Sequence, residues 1–207
     1  MAEPRILKRR ERQEYLTDLG LYTGPINGEW TKETRLAVDK LQKKYFPKKY
    51  QDGGLYTKRH TDILLVNAWR VWKYAPHFDL TEFKCNCDGK YCTGYPAYLN
   101  IQLLKNLEKT RCYFDKPMTI TSGLRCEKYN SVIDGSAANS GHLNGTASDF
   151  YLPGVTTTIK GRKKVMAYWK TLPKYYYTYS YIPGSTDKRM SSCKNMGNCT
   201  HGEVSSK

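Results

Sequence analysis

The sequence predicts two parts of different class: a small all-α segment followed by an α+β domain. Three observations carry this. The first 84 residues hold none of the seven cysteines. Apolar residues there recur at helical spacing, between stretches dense in turn residues. After residue 76, helical and alternating stretches mix without a regular βαβ rhythm, which argues for α+β rather than a doubly wound sheet. The expected division is 1–72 and 73–207 of the 207 residues.

In the first part, a helix is expected over Ile6 to Leu19, closed by Gly20. Leu21 to Gly28 reads as a turn-rich loop. A second helix starts after Thr31, a side chain suited to capping. Its face is Ala37, Val38, Leu41 and Tyr45, and Pro47 stops it. A shorter helix is expected from Arg59 to Trp69, then a link ending near Pro76. In the second part, Tyr98 to Leu107 reads as a helix. Lys160 to Leu172 reads as another, with Val165, Tyr168, Trp169 and Leu172 on one face. Lys116 to Thr121, Ala147 to Leu152 and Tyr175 to Ile182 read as strands. Arg162, in a basic run, reads as part of a solvated helix start. The tyrosine run at 175–179 is expected to turn one face to the core and the other to a groove.

Composition narrows the partners. The net charge is +15, with +7 before residue 76 and +8 after it. A charge spread this evenly suits a polyanionic partner rather than a basic tail. No helix-turn-helix, RNP or zinc-finger spacing supports nucleic acid as that partner. No apolar stretch is long enough to span a bilayer, so no membrane insertion is expected. The charged N-terminus lacks an apolar signal core. Reduced thiols are therefore expected, with synthesis in the cytoplasm; the chain is also expected to be a monomer.

The chemistry concentrates between Ser122 and Asp149. There Ser140, His142, Gly145, Ala147 and Asp149 follow the spacing Ser-x-His-x-x-Gly-x-Ala-x-Asp. Asn144-Gly145-Thr146 is poor helix material, so a loop entering a strand is expected, with Ala147, Asp149 and Tyr151 on one face. Small residues at 145 and 147 would let the backbone pass close to a bound group. One imidazole and one carboxylate do not make a catalytic zinc site, which usually has three protein ligands and an open position. Among the four histidines, His201 is the best third ligand. Cys85, Cys87 and Cys92 lie close enough for a second zinc, with Cys126 or His77 as fourth ligand. They lack the usual two-pair spacing, and buried thiols in a loop are the favoured reading.

Two resemblances extend this. Tyr15 to Phe46 resembles the peptidoglycan-binding domain of bacterial and phage wall hydrolases, through Gly20, Tyr22, Gly24, Ile26, Asn27, Gly28, Thr34, Ala37, Val38 and Gln42. A weaker second copy is read in residues 52–65. The resemblance implies wall binding, with Tyr22 and Asn27 as substrate contacts. Residues 77–204 resemble zinc peptidases of the D-alanyl-D-alanine carboxypeptidase type, through Ser122, Gly123, Leu124, Arg125, Cys126, Tyr129 and Asn130 and the ligand spacing above. This implies the zinc DD-peptidase (Hedgehog-like) fold and a Zn2+ site of His142, Asp149 and His201. It further implies substrate contacts from Arg125 and Ser140, Arg125 also meeting the oxyanion. Several such enzymes place a Glu three residues before the last His. Here that position is Asn198, and the terminal pattern is His201-Gly202-Glu203, so Glu203 is the candidate base.

Together these imply a zinc-dependent peptidase acting on peptidoglycan stem peptides, of the phage endolysin type, reaching the wall after release. The alternatives are a weak or inactive wall-binding protein and a host D,D-carboxypeptidase in wall remodelling.

Overall fold

The computed structural model describes residues 6–55 and 58–206. Part of the weak second repeat, at Tyr56 and Thr57, lies outside the described residues. The N-terminal part contains α1 (Arg9–Asp18), α2 (Lys32–Tyr45) and α3 (Arg59–Tyr74). The second part contains α4 (Ile101–Phe114), β1 (Thr119–Ser122), α5 (Glu127–Asn130), β2 (Ala147–Tyr151), α6 (Ile159–Lys170), β3 (Tyr175–Ser180), α7 (Lys188–Ser192) and β4 (Thr200–Val204). Short 3-10 turns at Leu80–Phe83 and Gly141–Asn144 position the site. No described helix is long and apolar enough to cross a membrane.

The three N-terminal helices form where the apolar spacing predicts. The Thr31 side chain accepts from Thr34 N and caps α2, as its position implies. Gln13, fully buried, donates to Glu29 O and accepts from Gly28 N, which ties the 20–30 loop to α1. Arg12 and Asp62 form a buried bidentate pair at 2.7 and 2.9 Å, and Asp62 also accepts from Leu7 N at 3.1 Å. Breaking such a pair leaves an uncompensated buried charge. Asp62→Ala is therefore expected to destabilise the protein by about 3–5 kcal/mol, read as a lower midpoint in urea unfolding.

The link expected after Trp69 is a correction. α3 continues to Tyr74, so the 72/73 division falls inside a helix. Ala75 and Phe78, just beyond, are buried, and one apolar cluster runs from Leu7 through Leu64 and Leu103 to Val204. The apolar face of this helix has neighbours on both sides, so helical structure persists past the composition change. α4 starts three residues later than expected, because the Asn100 side chain accepts from Gln102 N and Leu103 N as its cap.

The four strands form one antiparallel sheet in the order β1-β2-β4-β3. Its two faces differ. Phe150 points to Trp169 of α6, with ring centroids 5.4 Å apart, and both are fully buried. Gly202 lies over the same indole, where an added Cβ would come within 2.6 Å. The opposite face carries Asp149, His201 and Glu203.

Two smaller corrections follow. Gly145, with φ +66°, makes room for the Tyr98 carbonyl, 2.2 Å from where its Cβ would stand, rather than for a bound group. Arg162 is buried, not solvated. It donates to Tyr181 O, Thr156 O and Asn198 Oδ1, bracing three loops at once.

Candidate metal centre

β2 and β4 set the geometry. Their register places Asp149 directly across from His201, and Ala147 across from Glu203. Side chains alternate along a strand, so residues two apart share a face. Asp149, His201 and Glu203 therefore share the face away from α6. His142 joins them from the 3-10 turn at 141–144, which the Thr146 N bond to Gly141 O closes. His142 and His201 are both buried, with ring centroids 5.3 Å apart.

The ligand-type atoms of His142, Asp149 and His201 all lie within 4.8 Å of one another. His142 Nδ1 meets the Gly123 carbonyl at 2.7 Å. A carbonyl only accepts, so Nδ1 carries the proton. In the neutral ring this leaves the Nε2 lone pair facing Asp149 Oδ2, 3.4 Å away. Two acceptors face each other there, and a cation between them resolves the conflict. A ligating imidazole whose other nitrogen donates to a backbone carbonyl is the usual arrangement at metal sites. His201 faces carboxylates from both nitrogens: Nδ1 is 2.8 Å from Asp149 Oδ1, and Nε2 is 3.4 Å from Glu203 Oε2.

When the rings are cationic, the same atoms attract instead, as they would around a metal ion. Burial alone would push the Asp149 carboxyl up, but His142 and His201 hold it well below the usual carboxylate range. Burial would push the His201 imidazole down, and its bonds to Asp149 and Glu203 raise it instead. The donor set, two imidazoles and one carboxylate, suits zinc. The structure thus brings together the three residues that the sequence proposes as ligands.

A cavity of about 600 Å³ opens onto these residues and is also lined by Arg125, Ser140 and Glu203. Arg125 donates to Asn130 Oδ1 and Ser122 Oγ, both at 3.2 Å, while its buried Nε has no partner among the described residues. Ser140 starts the turn that carries His142, and its side chain makes no cap hydrogen bond. Glu203 belongs to a paired strand and is largely buried, not part of a frayed end. Gly141 makes room for it, since a Cβ there would meet Glu203 Oε1 at 2.4 Å. Asn198 is committed to Arg162 and does not line the cavity.

Tyr22 and Asn27 stand outside this cavity. Tyr22 is a correction: it is 3% exposed, and its hydroxyl donates to Pro25 O while accepting from Gln13 Nε2. It builds the loop from inside and offers no surface to a ligand. Asn27 is exposed, with Oδ1 accepting from Glu29 N.

Three cavity residues escaped the sequence reading as site residues. Tyr179 stacks on His201 with centroids 4.7 Å apart. Tyr177 lies beside it, 5.4 Å away. Arg189 donates to the Tyr179 hydroxyl at 2.7 Å and lies over its ring. The alternating tyrosines signalled a groove-facing strand. Nothing local marks Arg189, which reaches the site from the excursion between β3 and β4.

An α+β domain that aims two imidazoles and two half-buried carboxylates into one cleft has the parts of a metal-dependent hydrolase. Residues 76–172 match the family model described as Peptidase M15. The match supports a peptidase domain in the second part of the chain. It includes Arg125, His142 and Asp149 and stops short of His201 and Glu203, which the strand register supplies. No curated protein matches the chain.

Proposed function

We propose that the chain is a zinc-dependent peptidase that hydrolyses stem peptides of bacterial peptidoglycan, in the manner of a phage endolysin. The observation that carries this is the convergence of His142, Asp149 and His201 beside Glu203, within a domain that matches Peptidase M15. His142, Asp149 and His201 would hold the ion. Bound there, zinc supplies Lewis acidity, lowering the pKa of a water and polarising the scissile carbonyl.

The protein's own groups do the rest. Glu203 takes a proton from the attacking water and passes it to the leaving amine. Arg125, tethered by Ser122 and Asn130, presents a guanidinium to a substrate carboxylate or to the developing oxyanion. Tyr177 and Tyr179 form one wall for the stem peptide. The N-terminal helices act as the wall anchor through the exposed rim of the 20–30 loop, Asn27 included. The +15 charge favours an anionic wall.

The test is incubation of the purified chain with peptidoglycan, with chelator and with zinc restored, and mass spectrometry of the released fragments. Expected are new peptide termini that vanish with chelator and return with zinc. Fragments produced equally in chelator would overturn the zinc assignment. No fragments, with the protein still pelleting with the wall, would replace the enzyme by a wall-binding protein.

A further inference from the structure

We propose that Cys85, Cys87, Cys92 and Cys126 form a second metal centre, a structural tetrathiolate site for Zn2+, which holds the Arg125 segment against the catalytic cavity. The metal site stands on its own observations. Only its consequence for Arg125 rests on the peptidase reading.

All four sulfurs lie within 4.8 Å of one another. A tetrahedral zinc with bonds of about 2.3 Å needs sulfurs roughly 3.8 Å apart, and Cys87 and Cys92 already stand at 3.5 Å. The sequence left the fourth ligand open between Cys126 and His77. The fold decides it: His77 pairs with Glu108 on α4, while Cys126 joins the other three thiols.

The segment around them needs such a centre. Between Phe83 and Ile101 the chain has no helix or strand. It nevertheless folds into a defined path, with Asp88 (φ +48°) and Gly89 (φ +78°) turning it back between Cys87 and Cys92. Tyr95 and Leu99, in its second half, join the main core, whereas its first half buries a separate cluster of Cys85, Cys87 and Cys126, with Tyr91, Cys92 and Tyr129 packed around it. Three thiols make a poor core for the stretch from Cys85 to Cys92. Two of the sulfurs accept backbone hydrogen bonds: Gly94 N reaches Cys92 Sγ and Cys126 N reaches Cys85 Sγ, both at 3.4 Å. Four soft sulfur donors gathered in this way select zinc, or iron in its place.

The location gives the centre a task. Leu124 N donates to Phe83 O at 2.9 Å. Cys85 and Cys126 each follow that bond by two residues, so a shared metal would lock the crossing of the two segments. Arg125 sits between the crossing and Cys126, with its N–H on His142 O at 3.1 Å. The tetrad would thus be a positioning device for the guanidinium.

The experiment is metal analysis of the full chain, purified under reducing conditions, for wild type, His142→Ala/His201→Ala and Cys85→Ser/Cys126→Ser, with cobalt as a spectroscopic probe. Expected are two zinc equivalents in wild type and one in the double-histidine variant. The cobalt form of that variant should show an intense thiolate-to-metal charge-transfer band, absent from the double-serine variant. Chelation should lower the thermal midpoint of the double-histidine variant, a readout independent of the serine variant's folding. A metal-free double-histidine variant would overturn the proposal, as would an intact mass showing disulfides among these four cysteines, and bound iron would overturn its assignment to Zn2+. Equal zinc in wild type and the double-histidine variant would instead sink the catalytic site and leave this one standing.

Discussion

Replacing His142 with Ala is expected to remove zinc from the catalytic site and lower kcat/KM on peptidoglycan peptides by roughly a thousandfold or more, because several kcal/mol of transition-state stabilisation leave with the ion. His142 is fixed from behind by the Gly123 carbonyl, which holds its Nε2 toward Asp149. Asp149→Asn keeps the volume and removes the charge. It should also lose the ion, because the carboxylate is the one anionic ligand between two imidazoles. The check pairs zinc content with fragment release and far-UV circular dichroism. A folded His142→Ala protein that still cleaves at the wild-type rate would refute the site. Zinc retention with lost cleavage would move His142 from ligand to another role.

The sequence revealed this site unevenly, and the reasons are physical. His142 and Asp149 are seven residues apart in one segment, so their spacing was legible. The helix-poor Asn144-Gly145-Thr146 stretch correctly forecast a loop feeding a strand. β4 was not legible as a strand. Thr200 to Val204 is mostly polar and contains Gly202, and it becomes a strand because β2 and β3 pair with it on both edges. Its glycine, a weakness by propensity, is required by the Trp169 indole. Long-range contacts hid the rest. Arg162 looked like one cation in a basic run until three loops closed over it. Tyr22 matched a binding-loop pattern, yet its hydroxyl is held by the loop and α1. The helical faces of α2 and α6, by contrast, follow from local periodicity and appear where expected.

Glu203→Gln is expected to keep the zinc and the fold, and to lower kcat by about a hundredfold to ten-thousandfold with little change in KM. Glutamine matches glutamate in shape, so it keeps the clearance over Gly141 and the contact with His201. It loses only the ability to take a proton. Glu203→Asp retains the proton acceptor but withdraws it by one methylene, and should be impaired less than Gln. Asn198→Glu in the Glu203→Gln background should not restore activity. The side chain at 198 is directed to Arg162, and a carboxylate there would pair with that guanidinium rather than reach the cleft. Single-turnover rates and zinc content of the three variants separate these outcomes. Wild-type turnover by Glu203→Gln would transfer the base role to another group. Rescue by Asn198→Glu would mean that the loop before β4 reorganises around the substrate, placing position 198 at the reacting bond.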